Sequence, residues 1–149
     1  MEEIKFYHEY EENGYLGNYY LIDITIDNVT YKSVEHYYQS QKTLDRDRAL
    51  LIMNAETCDM AKTLGNCPDL PLRPDWPVWK IKAMEKGLKA KFSQHGELQK
   101  KLLSTGSAIL MENSMVDYFW GIGEKGNGEN MLGKLLMELR EEIRTGSKP

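Results

Sequence analysis

Between Ser33 and Lys42 the chain reads Ser-Val-Glu-His-Tyr-Tyr-Gln-Ser-Gln-Lys. One acid, one imidazole, two phenols, two amides and one amine fall within little more than two helical turns. Residues four and seven apart lie above one another on a helix, so a helix here sets Glu35, Gln39 and Lys42 on one face. A carboxylate, an amide and an ammonium in a row are wasteful as core filling and suit the wall of a polar pocket. Glu35 is the leading catalytic candidate, a carboxylate placed for acid–base or electrostatic work. Alone, it reads as a solvated acid favoured by the macrodipole in a first helical turn. Its neighbours Tyr37, Tyr38, Gln39 and Lys42 shift that reading, since they are not all solvent decoration.

A second group is Asp117-Tyr118-Phe119-Trp120-Gly121. An acid three residues before a tryptophan, followed by glycine, sets a carboxylate beside a flat stacking surface. Such a pair suits a sugar joined to a planar base. A core aromatic cluster capped by Asp117 is the equal alternative. Gly121-Ile122-Gly123-Glu124-Lys125-Gly126-Asn127-Gly128 then leads into the C-terminal helix and could offer backbone N–H groups to a phosphate. A flexible surface loop fits that stretch as well. It matches G-x-G-x-x-G, but no βαβ unit follows, which excludes a Rossmann reading. Trp76 and Trp79 flank Pro77; Trp76 is the better placed to line a pocket. Arg73 has a phosphate or Asp75 as partner, and Asp75 is the default. No G-x-S-x-G elbow, P-loop or H-E-x-x-H motif occurs, which removes the main arguments for acyl transfer, P-loop phosphoryl transfer and zinc hydrolysis.

The elements that must hold these residues follow from local patterns. Leu21 to Ser33 reads as strands: Ile22, Ile24 and Ile26 alternate with Asp23, Thr25 and Asp27, and Val29 and Tyr31 resume the alternation after an Asp27-Asn28 turn. Ser33 is the expected N-cap of the helix carrying Glu35. A helix is expected over about 46–53, and another opening near 54–56 and closing at Gly65 as a C-cap. Pro68, Pro71, Pro74 and Pro77 mark a structured loop, after which Asp75 caps a helix with Pro77 in its first turn. Ile81, Met84, Leu88 and Phe92 form its core stripe. A short helix over 97–104 closes at Gly106, Ile109 to Met111 is extended, and the last helix runs from about Glu129 to Arg144. There Leu132, Leu135, Leu136, Leu139 and Ile143 face inward. The expected fold is α+β: an α-rich single domain over 1–144 with a small N-terminal antiparallel sheet, and a disordered tail over 145–149.

Composition bounds the function. The chain has 149 residues, 41% hydrophobic and 28% charged, ordinary for one soluble domain. No apolar run approaches the length of a membrane span, and the acidic start Met1-Glu2-Glu3 lacks a signal-peptide core. A cytoplasmic protein without membrane association is expected. The net charge of −4 argues against a general nucleic-acid coat but leaves room for a local basic cleft. Cys58 and Cys67 lack a C-x-x-C pattern, and His8, His36 and His95 are scattered, so no metal site is expected.

These motifs together resemble the YbiA-like, or NADAR, N-glycosidases. The matching order is Gly14 to Tyr20 (GYLGNYY), Ser33 to Lys42 (SVEHYYQSQK), Leu72 to Trp76 (LRPDW), Lys91-Phe92, Asp117 to Gly121 (DYFWG) and Asn130 to Arg140 (NMLGKLLMELR). The resemblance covers nearly the whole chain. It implies a YbiA-like fold and a cofactor-free hydrolase of N-glycosidic bonds in ribosyl compounds. The implied substrates are early riboflavin-pathway ribosylamino-pyrimidine phosphates, as small-molecule partners, or an ADP-ribosylated guanine base in nucleic acid. The family's acid falls on Glu35, its D-x-x-W-G acid and tryptophan on Asp117 and Trp120, and its DW tryptophan on Trp76. Glu35 is then expected to stabilise oxocarbenium character and activate water. Asp117 serves the leaving side or a ribose hydroxyl, Trp120 and Trp76 stack on the base, and Asn18 and Gln39 read polar edges. Tyr19, Arg73 and Gly121 complete the expected substrate contacts. Lys42 either neutralises a phosphate or captures the opened sugar as a Schiff base. The chain departs from the pattern at Gly17, where similar proteins often carry Ser, and at Asn66, where they often carry Arg, whose guanidinium would strengthen anion binding. The rival readings are a non-catalytic ADP-ribose or NAD sensor and a domain in which Glu35, Lys42 and Asp117 form a buried ion network.

Overall fold

The computed structural model describes residues 2–146. The fold is α+β, and it divides into two compact units. One spans Leu21–Lys91; the other combines the chain up to Tyr20 with the chain from Phe92 onward.

In the unit of residues 21–91, β2 (Ile24–Ile26) pairs antiparallel with β3 (Val29–Tyr31), Ile24 opposite Tyr31 and Ile26 opposite Val29. Ile24 and Ile26 are buried and Thr25 exposed, as alternation requires. The two turn residues both hold positive φ, Asp27 at 52° and Asn28 at 67°. A two-residue type I′ hairpin turn needs that at both positions, and Asp and Asn tolerate it best after glycine. Three helices follow, each opened by a side-chain cap. Ser33 caps α1 (Val34–Ser40), Asp45 caps α2 (Arg46–Met53), and Thr57 caps α3 (Cys58–Gly65), each accepting from the N–H three residues on. Thus α3 begins at Cys58 rather than near residues 54–56. Ile52, Ala55, Ala61 and Leu70 form an apolar cluster, with Leu64 and Cys67 packed against it.

Helix α4 (Trp76–Gln94) opens where the Asp75 carbonyl accepts the Trp79 N–H at 2.8 Å. Pro77 sits in its first turn, where a missing N–H costs nothing. Met84 and Leu88 are buried, with Ile81 half-buried at the start of the stripe. Gly87 lets α4 lie close to α1, since a Cβ there would come within 2.9 Å of Val34 Cγ1. Lys91 is wholly buried, and burial pushes its amine down to about 7, with Cys58 acting the other way.

The other unit contains a pairing that the sequence patterns did not predict. β1 (Glu3–Phe6) lies parallel to β4 (Ile109–Glu112), in register from Glu3 with Ile109 to Phe6 with Glu112. α5 (Gly96–Ser104) precedes β4, and the chain turns between them through Gly106 at φ 65°. α6 (Met131–Thr145) buries Leu132, Leu135, Leu136 and Leu139, while Ile143 is only half-buried. Asn130, at φ 52°, ties α6 to β4: its Oδ1 accepts the Glu112 N–H at 3.0 Å and its Nδ2 donates to Leu110 O at 2.9 Å. Gly133 permits the close approach, because a Cβ there would run into the Leu110 carbonyl. Helix α6 therefore includes Thr145, and of the expected tail residues 147–149 lie outside the described residues. Among the described residues no helix is long and apolar enough to cross a membrane.

A depressed lysine has a definite pH signature. The unfolded chain binds the Lys91 proton below its ordinary lysine value of 10.5, and the folded chain only below about 7, so the unfolded state holds more protons in that window. Stability is therefore expected to rise with pH across it. Urea unfolding at about pH 7.5 and about pH 9.5 should show wild type gaining relative to Lys91→Met. A constant difference between the two proteins would refute the assignment.

Candidate active site

Every residue of α1 is buried, including its polar ones. Each polar side chain must then find a partner inside, because an unmet buried group costs about 1–3 kcal/mol. At the N-terminal end, His36 Nε2 lies 3.0 Å from the Ala55 carbonyl. A carbonyl only accepts, so Nε2 carries the proton and Nδ1 accepts from Ser33 Oγ at 2.7 Å. Ser33 Oγ in turn accepts the His36 backbone N–H at 3.0 Å and meets Cys58 Sγ at 3.3 Å. Burial holds the imidazole below its ordinary value, and Lys32 adds to that, so the ring stays neutral; the bond to the Ala55 carbonyl opposes them. This anchored turn fixes the backbone of Glu35.

Glu35 is 7% exposed, and its Oε2 accepts from Gln39 Nε2 at 2.7 Å, the i,i+4 contact that the sequence spacing implies. Gln39 Oε1 is buried with no hydrogen-bond donor. The amide rests against Gly65: a Cβ there would collide with it and lie only 2.9 Å from Gln39 Cβ. Gly65 is thus a residue of the last turn of α3, kept small for this approach. It is not the C-cap that the sequence suggested; Asn66 is.

Lys42 lies two residues beyond α1 rather than on its last turn. The amine still returns to the same place. Nζ donates to Asn66 Oδ1 at 2.9 Å and to the Gly65 carbonyl at 3.3 Å, and sits 5.8 Å from the centre of the Tyr38 ring. Burial lowers its proton affinity, the Glu35 carboxylate opposes this, and Lys62 reinforces it. Tyr38 also packs against Trp76, ring centres 5.2 Å apart. Trp76 is buried, so it is more a wall than a free stacking surface. Arg73 takes its default partner: Nε donates to Asp75 Oδ1 at 2.6 Å and Nη2 to Oδ2 at 3.3 Å, with the guanidinium 4.9 Å from the Trp79 ring centre.

Residues 21–91 therefore bring together Glu35, Gln39 and Lys42, with Trp76 behind Tyr38. Asn18, Tyr19, Asp117, Trp120 and Gly121 belong to the other unit. Asn18 and Tyr19 are half-buried and follow the 3-10 turn Gly14–Leu16. Asp117 Oδ1 accepts the N–H groups of Phe119 at 2.9 Å and Trp120 at 2.7 Å. It caps the turn that presents Trp120, whose half-buried ring meets Phe119 edge-on at 4.9 Å. The helix start that follows the glycine-rich loop is tied back to the preceding turn. The N–H groups of Glu129, Asn130, Met131 and Leu132 donate to the carbonyls of Tyr118, Gly121, Phe119 and Trp120. Those donors are already spent. Gly121 is a packing glycine, its Cβ position lying 2.9 Å from the Glu112 carbonyl oxygen. Sequence reasoning missed Asn66 as a partner of Lys42 and Gly65 as the seat of Gln39. Their only sequence signal is the Gly-Asn pair ending α3.

The NADAR domain family model matches residues 5–144. N-glycosidase YbiA of Escherichia coli is 40% identical over 140 residues, covering 94% of this chain and 88% of that protein. Riboflavin biosynthesis protein VVA0006 of Vibrio vulnificus is 38% identical over 144 residues, 96% of this chain but 39% of that longer protein. The NMR structure of E. coli YbiA superposes with a TM-score of 0.90 at 38% identity, covering 98% of this chain and 88% of that one. The chain belongs to the NADAR domain family, and its class is that of an N-glycosidase.

The Gly65–Gln39 contact makes a coupled prediction. Gly65→Ala should cost about 1–3 kcal/mol by overpacking and push Gln39 off Glu35. Gly65→Ala with Gln39→Ala should lose less stability than the two single changes summed, measured by urea unfolding. Strict additivity would contradict the contact.

Proposed function

We propose that this protein hydrolyses the bond between an amine or base nitrogen and C1′ of a ribose phosphate or ADP-ribose, with Glu35 and Lys42 as its reacting groups. The observation that carries the reading is the juxtaposition of a buried carboxylate with a buried amine whose proton affinity is lowered, the Gln39 acceptor beside them being unspent. A buried orphan acceptor is expensive unless a ligand donor meets it, and a ribose hydroxyl supplies one.

In the proposed reaction the ribosylamine ring opens. The C1′–O4′ bond breaks, O4′ takes a proton, and C1′ becomes an imine of the leaving nitrogen. The neutral Lys42 amine adds to C1′. The original nitrogen takes a proton and leaves as the free amine, and C1′ remains bound to Lys42 as an imine. Water adds to C1′, the C1′–Nζ bond breaks, and the sugar closes again with Lys42 restored. Glu35 moves the protons in these steps and stabilises cationic character at C1′. No cofactor takes part in this balance.

The candidate substrates are a ribosylamino-pyrimidine phosphate and an ADP-ribosylated guanine. The name of the Vibrio relative favours the first, and the acidic net charge of −4 also favours a free metabolite over a long nucleic acid. The cysteines are free thiols, which fits a reducing compartment such as the cytoplasm.

A paired hydrolysis assay tests this. Wild type and Glu35→Gln are offered each substrate class, and released base and sugar are separated chromatographically. Glu35→Gln should lower kcat by at least about a hundredfold, with KM within about threefold. Near-wild-type turnover in Glu35→Gln would defeat the assignment. Binding of ADP-ribose without cleavage of either compound would point to the sensor instead.

A further inference from the structure

The last turn of α3 has a feature that the proposed reaction does not use. Asn66 is the C-cap of α3, its backbone N–H bonded to the Lys62 carbonyl at 3.0 Å and the Thr63 carbonyl at 3.3 Å. With its backbone fixed, its side chain delivers Oδ1 to Lys42 Nζ at 2.9 Å, shorter than the 3.3 Å from the amine to the Gly65 carbonyl. The other acceptor is the Gly65 carbonyl, one of the helix-end carbonyls that α3 leaves without intrahelical partners. The negative end of the helix dipole lies there too. As a sequence, Asn66 reads as the loss of an anion-binding guanidinium. As a structure, it is an acceptor for a cation, a task no guanidinium performs.

We propose that Asn66 is a positioning residue for the Lys42 amine: its neutral carboxamide oxygen holds Nζ against the end of α3 and governs the protonation of that amine. This rests on the reading of Lys42 as the nucleophile. An imine-forming lysine must be held near the reacting carbon yet be able to lose its proton. A carboxylate at this place would hold it better and protonate it more firmly. An apolar residue would free the proton and lose the hold. A carboxamide lies between the two. The charged and titratable groups facing the amine are Glu35 and Tyr38 from α1 and Lys62 from α3. Burial lowers the proton affinity of Lys42 and the Glu35 carboxylate opposes this, so the amine stands between the two influences.

Asn66→Asp and Asn66→Ala test the proposal in opposite directions. Asn66 is exposed, so neither change disturbs the core. The titration of Lys42 is read from its Cε carbon shift by NMR on isotope-labelled protein, assigned with Lys42→Arg. Hydrolysis is followed over the same pH range. Asn66→Asp should raise the Lys42 midpoint by about one unit or more, and Asn66→Ala should lower it. The acid limb of kcat/KM should move with each, so Asn66→Asp loses about tenfold in rate below its limb. Above the limb Asn66→Ala should lose kcat, with KM little changed. A Lys42 midpoint identical in wild type and Asn66→Asp overturns the proposal. Midpoints that move while the acid limb stays fixed uphold the hold of Asn66 on Lys42 and overturn the nucleophile reading itself.

Discussion

The structure around the site depends on one constraint: α1 is buried on all sides yet carries Glu35, His36, Gln39 and, just past its end, Lys42. Ionised groups this deep are tolerated only when opposite charge and hydrogen bonds offset lost hydration. The neighbouring elements are shaped by that need. α3 ends in Gly65 and Asn66, the first small enough to seat Gln39 and the second an acceptor for the amine. The Ala55 carbonyl, between α2 and α3, accepts a hydrogen bond from His36 Nε2. The polar wall is thus built from one helix and the end of another, with little freedom at any member.

The same constraint favours reactivity. An amine in water is protonated at neutral pH and does not attack carbon. Here burial weakens its hold on the proton, the Glu35 carboxylate opposes this, and Lys62 reinforces it. Gln39 takes one carboxylate oxygen of Glu35 at 2.7 Å, which orients the acid and leaves its own carbonyl oxygen unmet. A site that stores unmet hydrogen-bonding capacity binds a ligand better than it packs a core.

Much of this was legible in the sequence where the chemistry is local. The Ser33 cap, the Asp27-Asn28 hairpin and the bounds of α2 follow from side chains acting on backbone a few residues away. The Glu35–Gln39 pair follows from helical spacing. The parallel pairing of β1 with β4 did not follow, because its partners lie about a hundred residues apart in the chain and no turn announces it. Gly65 read as a C-cap because a glycine at a helix end looks the same whether it needs a positive φ or an empty space. The glycine-rich loop read as either a phosphate cradle or a surface loop because sequence does not reveal that the N–H groups of Glu129 to Leu132, at the helix start, are spent on the carbonyls of residues 118–121. Asn66 was invisible as a Lys42 partner for the same reason: its role depends on where α1 and α3 meet.

The central claim is that a buried lysine and a buried carboxylate act together on C1′ of a ribosylamine. The most direct measurement is borohydride reduction during turnover, followed by peptide mass spectrometry. The account predicts a sugar-phosphate adduct on the peptide containing Lys42, absent without substrate. Absence of any adduct from an active protein, together with full turnover in Lys42→Arg, would contradict it.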